Sequence, residues 1–289
     1  MDSALTTVGL PIALAIIMFG LGLDLTVADF KRIGKQPKAV LVALGCQLLL
    51  LPAVCFGLVV AFDLPSLLGI GMMLLAASPG GTTANLFSKL FRGDVALNIS
   101  LTAINTVIAI VTLPLITGLA ITYFDQDESV SMPLIEVVKV FVLILVPVGL
   151  GMLVNARRHG FAERMDRPVR IGSAVILAIL VIGIMVDQRD NIGSYMADVG
   201  LLAALFCAIS LVVGYVVPRA FGVSDDQAIA SSFEIGVHNG TLAIFVAVEV
   251  LDSTEISVPA AVYSVFMFVL AALWGMFISR RVAAEKVTV

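Results

Sequence analysis

The chain has 289 residues, of which 60% are hydrophobic and 13% charged, with a formal net charge of −4. A soluble domain of this size needs far more polar surface around its core, so a water-soluble globular protein is excluded. Apolar runs of about 20 residues recur along the whole length, each long enough to cross a bilayer, and the chain reads as an all-α polytopic membrane protein.

The first predicted span, 4–24, follows a start that lacks the basic stretch and small-residue cleavage site of a signal peptide, so it is expected to be retained. The second, 38–62, carries Gln47 at its centre. The third, 66–88, runs into "SPGGTTANLFSKL" (78–90). Pro79 removes a backbone donor and clashes with the preceding turn, and Gly80 and Gly81 follow it. The helix is predicted to unwind near 78–82 and to restart at Thr82 or Thr83. The fourth span, 95–123, carries Asn98, Thr102 and Asn105, and the fifth to seventh cover 133–155, 169–187 and 196–219. The eighth, 226–250, contains "SSFEIGVHNGTLAIFVAVEV" (231–250), with Glu234, His238 and Asn239 at its middle and Gly236 and Gly240 breaking the helical preference around them. The ninth covers 257–279. Cys46, Cys55 and Cys207 fall inside apolar runs without metal or disulfide spacing and read as small buried hydrophobes.

The connections divide sharply by charge. Of the 17 basic residues, all but Lys139 and Arg189 fall on one side of a nine-span alternation, while "FDQDES" and "EVLDSTEIS" fall on the other. The positive-inside rule then places the N-terminus outside and the C-terminus in the cytoplasm of a plasma (bacterial inner) membrane. No extramembrane domain is expected, and no nucleic-acid partner.

An internal echo accompanies this pattern. "IMFGLGLDL" (17–25) resembles "LVIGIMVDQ" (180–188), and the interrupted third span resembles the interrupted eighth at an offset of about 155 residues. Spans in those positions enter from opposite sides, so the echo predicts one transporter unit over 1–289. Its inverted repeats are 1–123, lacking one helix, and 133–279. Unwound backbone at membrane depth is tolerated only where it is buried in protein or lines a wet cavity, and its freed carbonyls and amides offer both signs of partial charge there.

Glu234 sets the sign of one ligand. A carboxylate at the bilayer centre costs roughly 2.5–3.5 kcal/mol on insertion scales, so it needs a proton, a basic partner or a bound cation. No Lys or Arg occupies the predicted centre of a span, whereas Gln47, Thr82, Thr83, Asn85, Asn98, Thr102, Asn105 and Asn239 supply the oxygens that a hard cation such as Na+ requires. If its segment stays helical, His238 faces Glu234 at i+4. A proton-coupled carrier or exporter, with His238 and Glu234 titrating, is the alternative reading. An intramembrane enzyme is not expected, because no Ser–His–Asp, HExxH or cysteine-based arrangement is present.

With "MFGLGLDLTVADF" (18–30), "SPGGTTANLFSKLFRGDVALNISLT" (78–102) and "EIGVHNGTLAIFVA" (234–247) in this order, the chain resembles the bile acid:sodium symporter family in its nine-helix form. The resemblance implies a panel domain and a core domain in which two discontinuous helices cross. It implies sodium-coupled symport of an organic anion, bile-acid-like or a small carboxylate, into the cytoplasm with one or two sodium ions. Carried over to matching positions, one sodium site takes Glu234, Asn85 and Thr102, with Asn98 standing where the family often has serine. The second takes Glu234, Gln47 and the carbonyls of Ile235 and Val237, with His238 in place of the glutamine common there. The anion is expected beside Thr82, Thr83, Asn239 and Gly240. Ala84 stands where the family often has a serine, so one ligand oxygen is missing.

Overall fold

The computed structural model describes residues 9–125, 130 and 133–287. Most of the acidic connection "FDQDES" and the first residues of the first expected span therefore lie outside the described residues, as do the side chains of Glu136, Arg170 and Lys286. The described chain is helical almost throughout, as a lipid environment demands, because a helix satisfies its backbone groups internally.

Helix α1 (Leu10–Asp24) ends where Thr26 begins a capping box: its amide and hydroxyl both donate to Asp29 Oδ2, at 2.8 and 2.6 Å. The short helix α2 (Val27–Arg32) then leaves at a 63° bend. Pro37, in the first turn where its missing amide is harmless, opens α3 (Pro37–Ala61), which carries a π-helical turn at Cys46–Leu50. Two short helices follow, α4 (Ser66–Ala77) and α5 (Thr82–Leu90), separated by Ser78, Pro79, Gly80 and Gly81. Asp94 caps the 30-residue α6 (Val95–Phe124) by accepting from the amide of Leu97 at 2.9 Å. Three long helices come next: α7 (Leu134–Arg157), α8 (His159–Asp187) and α9 (Ile192–Ala220). A second interrupted pair, α10 (Asp225–Gly236) and α11 (Gly240–Val250), leads into the final helix α12 (Thr254–Val287).

Within the described residues each predicted span overlaps a helix or an interrupted pair. Six unbroken helices among the described residues are long and apolar enough to cross a membrane, and a seventh candidate is the bent pair α1–α2. The chain is an all-α polytopic membrane protein.

Packing sorts these elements into two bodies. Helices α1, α7 and α8 pack on one another, while α3–α6 and α9–α12 form the larger group. The first body rests on a close approach: a Cβ added at Gly22 would collide with the backbone of Val148, and one at Gly151 with Phe19 and Gly22. Small residues that let two backbones touch are the usual means of helix association in lipid, where burial of apolar surface gives little drive. In the larger body more than half of the apolar stretch of α9 and α12 is buried, against under a quarter for α6, α7 and α8. Val107, Val111, Leu115 and Leu119 run along the exposed flank of α6, as a lipid-facing surface requires. Met72 and Met73 on α4 are buried and serve packing.

Candidate functional site

The two interruptions meet. Gly80 and His238 form an isolated antiparallel bridge: the amide of Gly81 donates to the carbonyl of Val237 at 2.8 Å, and the amide of Asn239 donates to that of Pro79 at 2.9 Å. The unwound strands thus pay their backbone hydrogen-bonding debt to each other, which is how irregular chain survives inside the protein. On one side α4 stops at Ala77, since Pro79 forces Ser78 out of the helical conformation, and α5 restarts at Thr82. On the other side Gly236 is the last helical residue, so the break begins one position later, at Val237. The side chain of Asn239 accepts from the amide of Leu242 at 3.1 Å and caps the restart of α11.

Glu234 lies in the last turn of α10 and is fully buried. Its helix is pinned on two sides, since the hydroxyl of Ser232 donates to the carbonyl of Leu211 on α9 and accepts from the indole of Trp274 on α12. The carboxylate accepts from the hydroxyl of Thr102 at 2.5 Å, from the amide nitrogen of Asn105 at 3.2 Å, and from the backbone amide of Gly80. Gly80 is needed here for space: a Cβ on it would lie 2.5 Å from both carboxylate oxygens. No Lys or Arg pairs with Glu234 among the described residues.

Of the positions assigned to the first cation site, the structure brings Thr102 directly to Glu234. Asn98 donates instead to the carbonyl of Ala230, one turn back on α10, at 2.7 Å, and leaves its own oxygen enclosed and unpartnered. Asn85 on α5 is buried with both amide atoms unpartnered. Helices α5, α6 and α10 pack together, so these orphaned polar atoms lie in one three-helix seam. Buried polar atoms are ordinarily satisfied, and such a concentration of oxygens without donors suits a cation of the hard, oxygen-seeking kind.

At the second set of positions, Gln47 and His238 converge on a single atom. The amide nitrogen of Gln47 donates to the carbonyl of Ser78 at 3.1 Å, and Nδ1 of His238 faces the same carbonyl at 3.2 Å. A carbonyl only accepts, so Nδ1 carries the proton and Nε2 of the neutral ring presents a lone pair. Both Nε2 and the Gln47 oxygen are enclosed and unpartnered. The ring stacks on Phe206 and meets Tyr263 edge-on. The expected i+4 contact of His238 with Glu234 is corrected here: the helix ends at Gly236, and the crossing strand turns the imidazole to Ser78. The carbonyl of Val237 is taken by Gly81, and Ile235 is buried in the last turn of α10.

Thr82, Thr83, Asn239 and Gly240 share the lining of one cavity of about 30 Å³, together with Gly81, His238 and Thr241. The first body of helices closes it through Ile17, Ser173, Ala174 and Leu177. Its size admits about two water molecules. Sequence reasoning missed Ser173, which sits in an uninterrupted apolar helix and gives no signal, and the Ser78 carbonyl, which is a backbone atom. It named Asn105 only as one oxygen among many. The spacing of Asn98, Thr102 and Asn105 on one helical face was the signal that places it.

The profile of the Sodium Bile acid symporter family matches residues 11–195. The chain is 25% identical over 279 residues to an uncharacterized sodium-dependent transporter, YocS, of Bacillus subtilis, a likeness covering 95% of this chain and 85% of that protein. It is 26% identical over 278 residues to the ileal sodium/bile acid cotransporter of Homo sapiens, covering 93% and 78% of the two chains. With the probable chloroplastic sodium/metabolite cotransporter BASS1 of Arabidopsis thaliana it shares 28% identity over 272 residues, 91% of this chain and 66% of the plant protein.

Proposed function

The chain belongs to the sodium bile acid symporter family, and from that premise we propose that it is a secondary active transporter that carries an organic anion into the cytoplasm with sodium by alternating access. The observation that carries the reading is Glu234: a fully buried carboxylate with no basic partner among the described residues, next to a seam of unpartnered amide oxygens. A cation there neutralises the acid and occupies the oxygens together. The residues proposed for it are Glu234, Thr102, Asn85 and Asn98, with Gln47, His238 and the carbonyls of Ile235 and Val237 for a second ion. Thr82, Thr83, Asn239 and Gly240 are proposed to meet the anion, where α5 and α11 begin and line one cavity.

The proposed topology has nine crossings, with the N-terminus outside and the C-terminus in the cytoplasm. An inverted repeat is supported by the turns that bound the two interrupted pairs. Asp63 and Arg92 flank α4–α5 with φ of 49° and 65°, and Gly222 and Asp252 flank α10–α11 with φ of 72° and 49°. Position 222 lies 159 residues after 63, and 252 lies 160 after 92. Left-handed residues are uncommon outside glycine, and their recurrence at one spacing points to one folding unit used twice.

In this conformation the cavity is too small for an organic anion, so access requires the α1, α7, α8 body to move against the crossing. The relatives named above are sodium-dependent or sodium-coupled, which supports the choice of ion; which anion is carried is to be read from binding.

The test is uptake of radiolabelled carboxylates and steroid sulfates into proteoliposomes containing the purified protein, driven by an inward sodium gradient. Accumulation that requires sodium is the expected result. Uptake that persists without sodium and follows a pH gradient would overturn the proposal in favour of proton coupling.

A further inference from the structure

Asn98, Thr102 and Asn105 occupy one face of α6 at i, i+4 and i+7, and they engage α10 in register. Asn98 reaches the carbonyl of Ala230, and Thr102 and Asn105 reach the carboxylate of Glu234 one turn later. An ionised carboxylate only accepts, so the nitrogen end of the Asn105 amide must be the end that faces it. The amide is planar, so its oxygen sits beside the donating nitrogen and is not itself bonded to the carboxylate. That oxygen is enclosed, the residue being 2% exposed, and it has no partner among the described residues. An enclosed amide oxygen without a donor is unfavourable, and among the described residues no side chain donates to it.

Thr102 has donated its only proton to Glu234, so its hydroxyl oxygen also retains acceptor capacity beside the same carboxylate. The donor set around Glu234 is thus oxygen throughout, with neither sulfur nor imidazole, which suits a hard monovalent cation rather than a transition metal. We propose that the amide oxygen of Asn105 is a direct ligand of the cation held at Glu234, its nitrogen fixing the carboxylate while its oxygen closes the coordination shell. Asn105 then does two jobs with the two ends of one side chain. This inference rests on the sodium reading above and adds a ligand that the resemblance does not assign.

A ligand differs from a residue that merely orients Glu234 in one measurable respect. A ligand sets the size of the ion's cage, so its loss changes the preference between Li+ and Na+, whereas loss of an orienting bond weakens both alike. The experiment is thermal unfolding of the purified full-length protein in detergent, titrated with NaCl or LiCl against choline chloride at constant ionic strength. It compares wild type with Asn105→Ala and with Asn105→Leu, which keeps the volume without the polar atoms. The half-saturating Na+ concentration is expected to rise about tenfold or more in either variant, with the Li+/Na+ ratio shifted. Should one variant fail to fold, the other and Asn105→Ser are read in the same way. A folded variant whose half-saturation stays within about twofold of wild type overturns the assignment, as does equal weakening for both ions, which leaves Asn105 as an orienting residue only. A wild-type protein that shows no sodium-dependent stabilisation overturns the sodium reading itself, and the two failures are told apart by that control.

Discussion

Thr102 and Glu234, 132 residues apart in the chain, are joined by a 2.5 Å hydrogen bond from hydroxyl to carboxylate deep inside the molecule. The bond links α6, which follows the first interrupted pair, to α10, which precedes the second interruption. It places the acid at the meeting point of α5, α6 and α10, where amide oxygens without donors accumulate.

Replacing Glu234 with Gln keeps the shape and removes the charge. The amide still accepts from Thr102 through its oxygen, so the fold is retained. Sodium-dependent uptake is expected to fall by about 100-fold or more, equivalent to about 2.7 kcal/mol of lost coupling. Uptake in proteoliposomes, paired with size-exclusion behaviour of the variant, checks it. Sodium dependence at the wild-type level in this variant would remove Glu234 from the mechanism.

Gly80→Ala places a methyl group against the Glu234 carboxylate, on a strand held by the bridge to His238. Neither partner has room to retreat, and overpacking of this kind typically costs about 1–3 kcal/mol. A lowered unfolding temperature together with loss of sodium-dependent stabilisation is expected. Unchanged sodium affinity would show that the strand and the carboxylate can separate freely.

His238→Gln exchanges a nitrogen lone pair for an amide oxygen at a position already tied to Ser78. Imidazole nitrogen is a weaker ligand for a hard cation than oxygen, so the second sodium is expected to bind more weakly in the wild type than in the variant, which shows the higher sodium Hill coefficient. The difference matters energetically. A second sodium ion per monovalent anion adds about 1.4 kcal/mol from a tenfold gradient and moves a net charge worth about 2.3 kcal/mol at 100 mV. Initial rates against sodium concentration, with and without a potassium diffusion potential, read both quantities.

Gly151→Leu sets a branched side chain where the backbone of α1 touches α7. The contact is backbone to backbone, with no side chain to yield, so the α1, α7, α8 body is expected to come apart. A drop of several degrees in unfolding temperature and a loss of folded yield are the readouts. Gly149→Leu, at a position with open space around it, is the matched control and is expected to be tolerated.

The fold class was legible because membrane burial writes itself into composition: apolar runs of helical length, with charge confined between them. Pro79 beside two glycines marked one interruption: its ring bars the preceding turn, so the first helix stops at Ala77, and the second restarts at Thr82 past the glycines. The second interruption was legible from Gly236 and Asn239, although the glycine proved to end the helix rather than break it. What the chain order hid was the partner of each polar group. His238 looks at Glu234 on a helical wheel, but it binds Ser78 once the strand crosses, a relation that exists only in three dimensions. The π-helical turn that carries Gln47 and the meeting of Gln47 with His238 on one carbonyl are hidden for the same reason. Asn105 was legible in principle, since its helical spacing from Thr102 is plain. In the sequence it counts among the oxygens open to a cation but falls in no site, because its partner across the fold is not visible in chain order.

The bridge between Gly80 and His238 joins the two interruptions through the peptide backbone itself. One side of that short ribbon bears the carboxylate and its oxygens; the other borders the cavity lined by Thr82, Thr83 and Asn239. On the proposed reading, cargo and ion share one short two-stranded ribbon held by main-chain hydrogen bonds. Movement of that ribbon for one passenger would carry the other with it, so the proposed coupling runs through main-chain hydrogen bonds rather than through side chains.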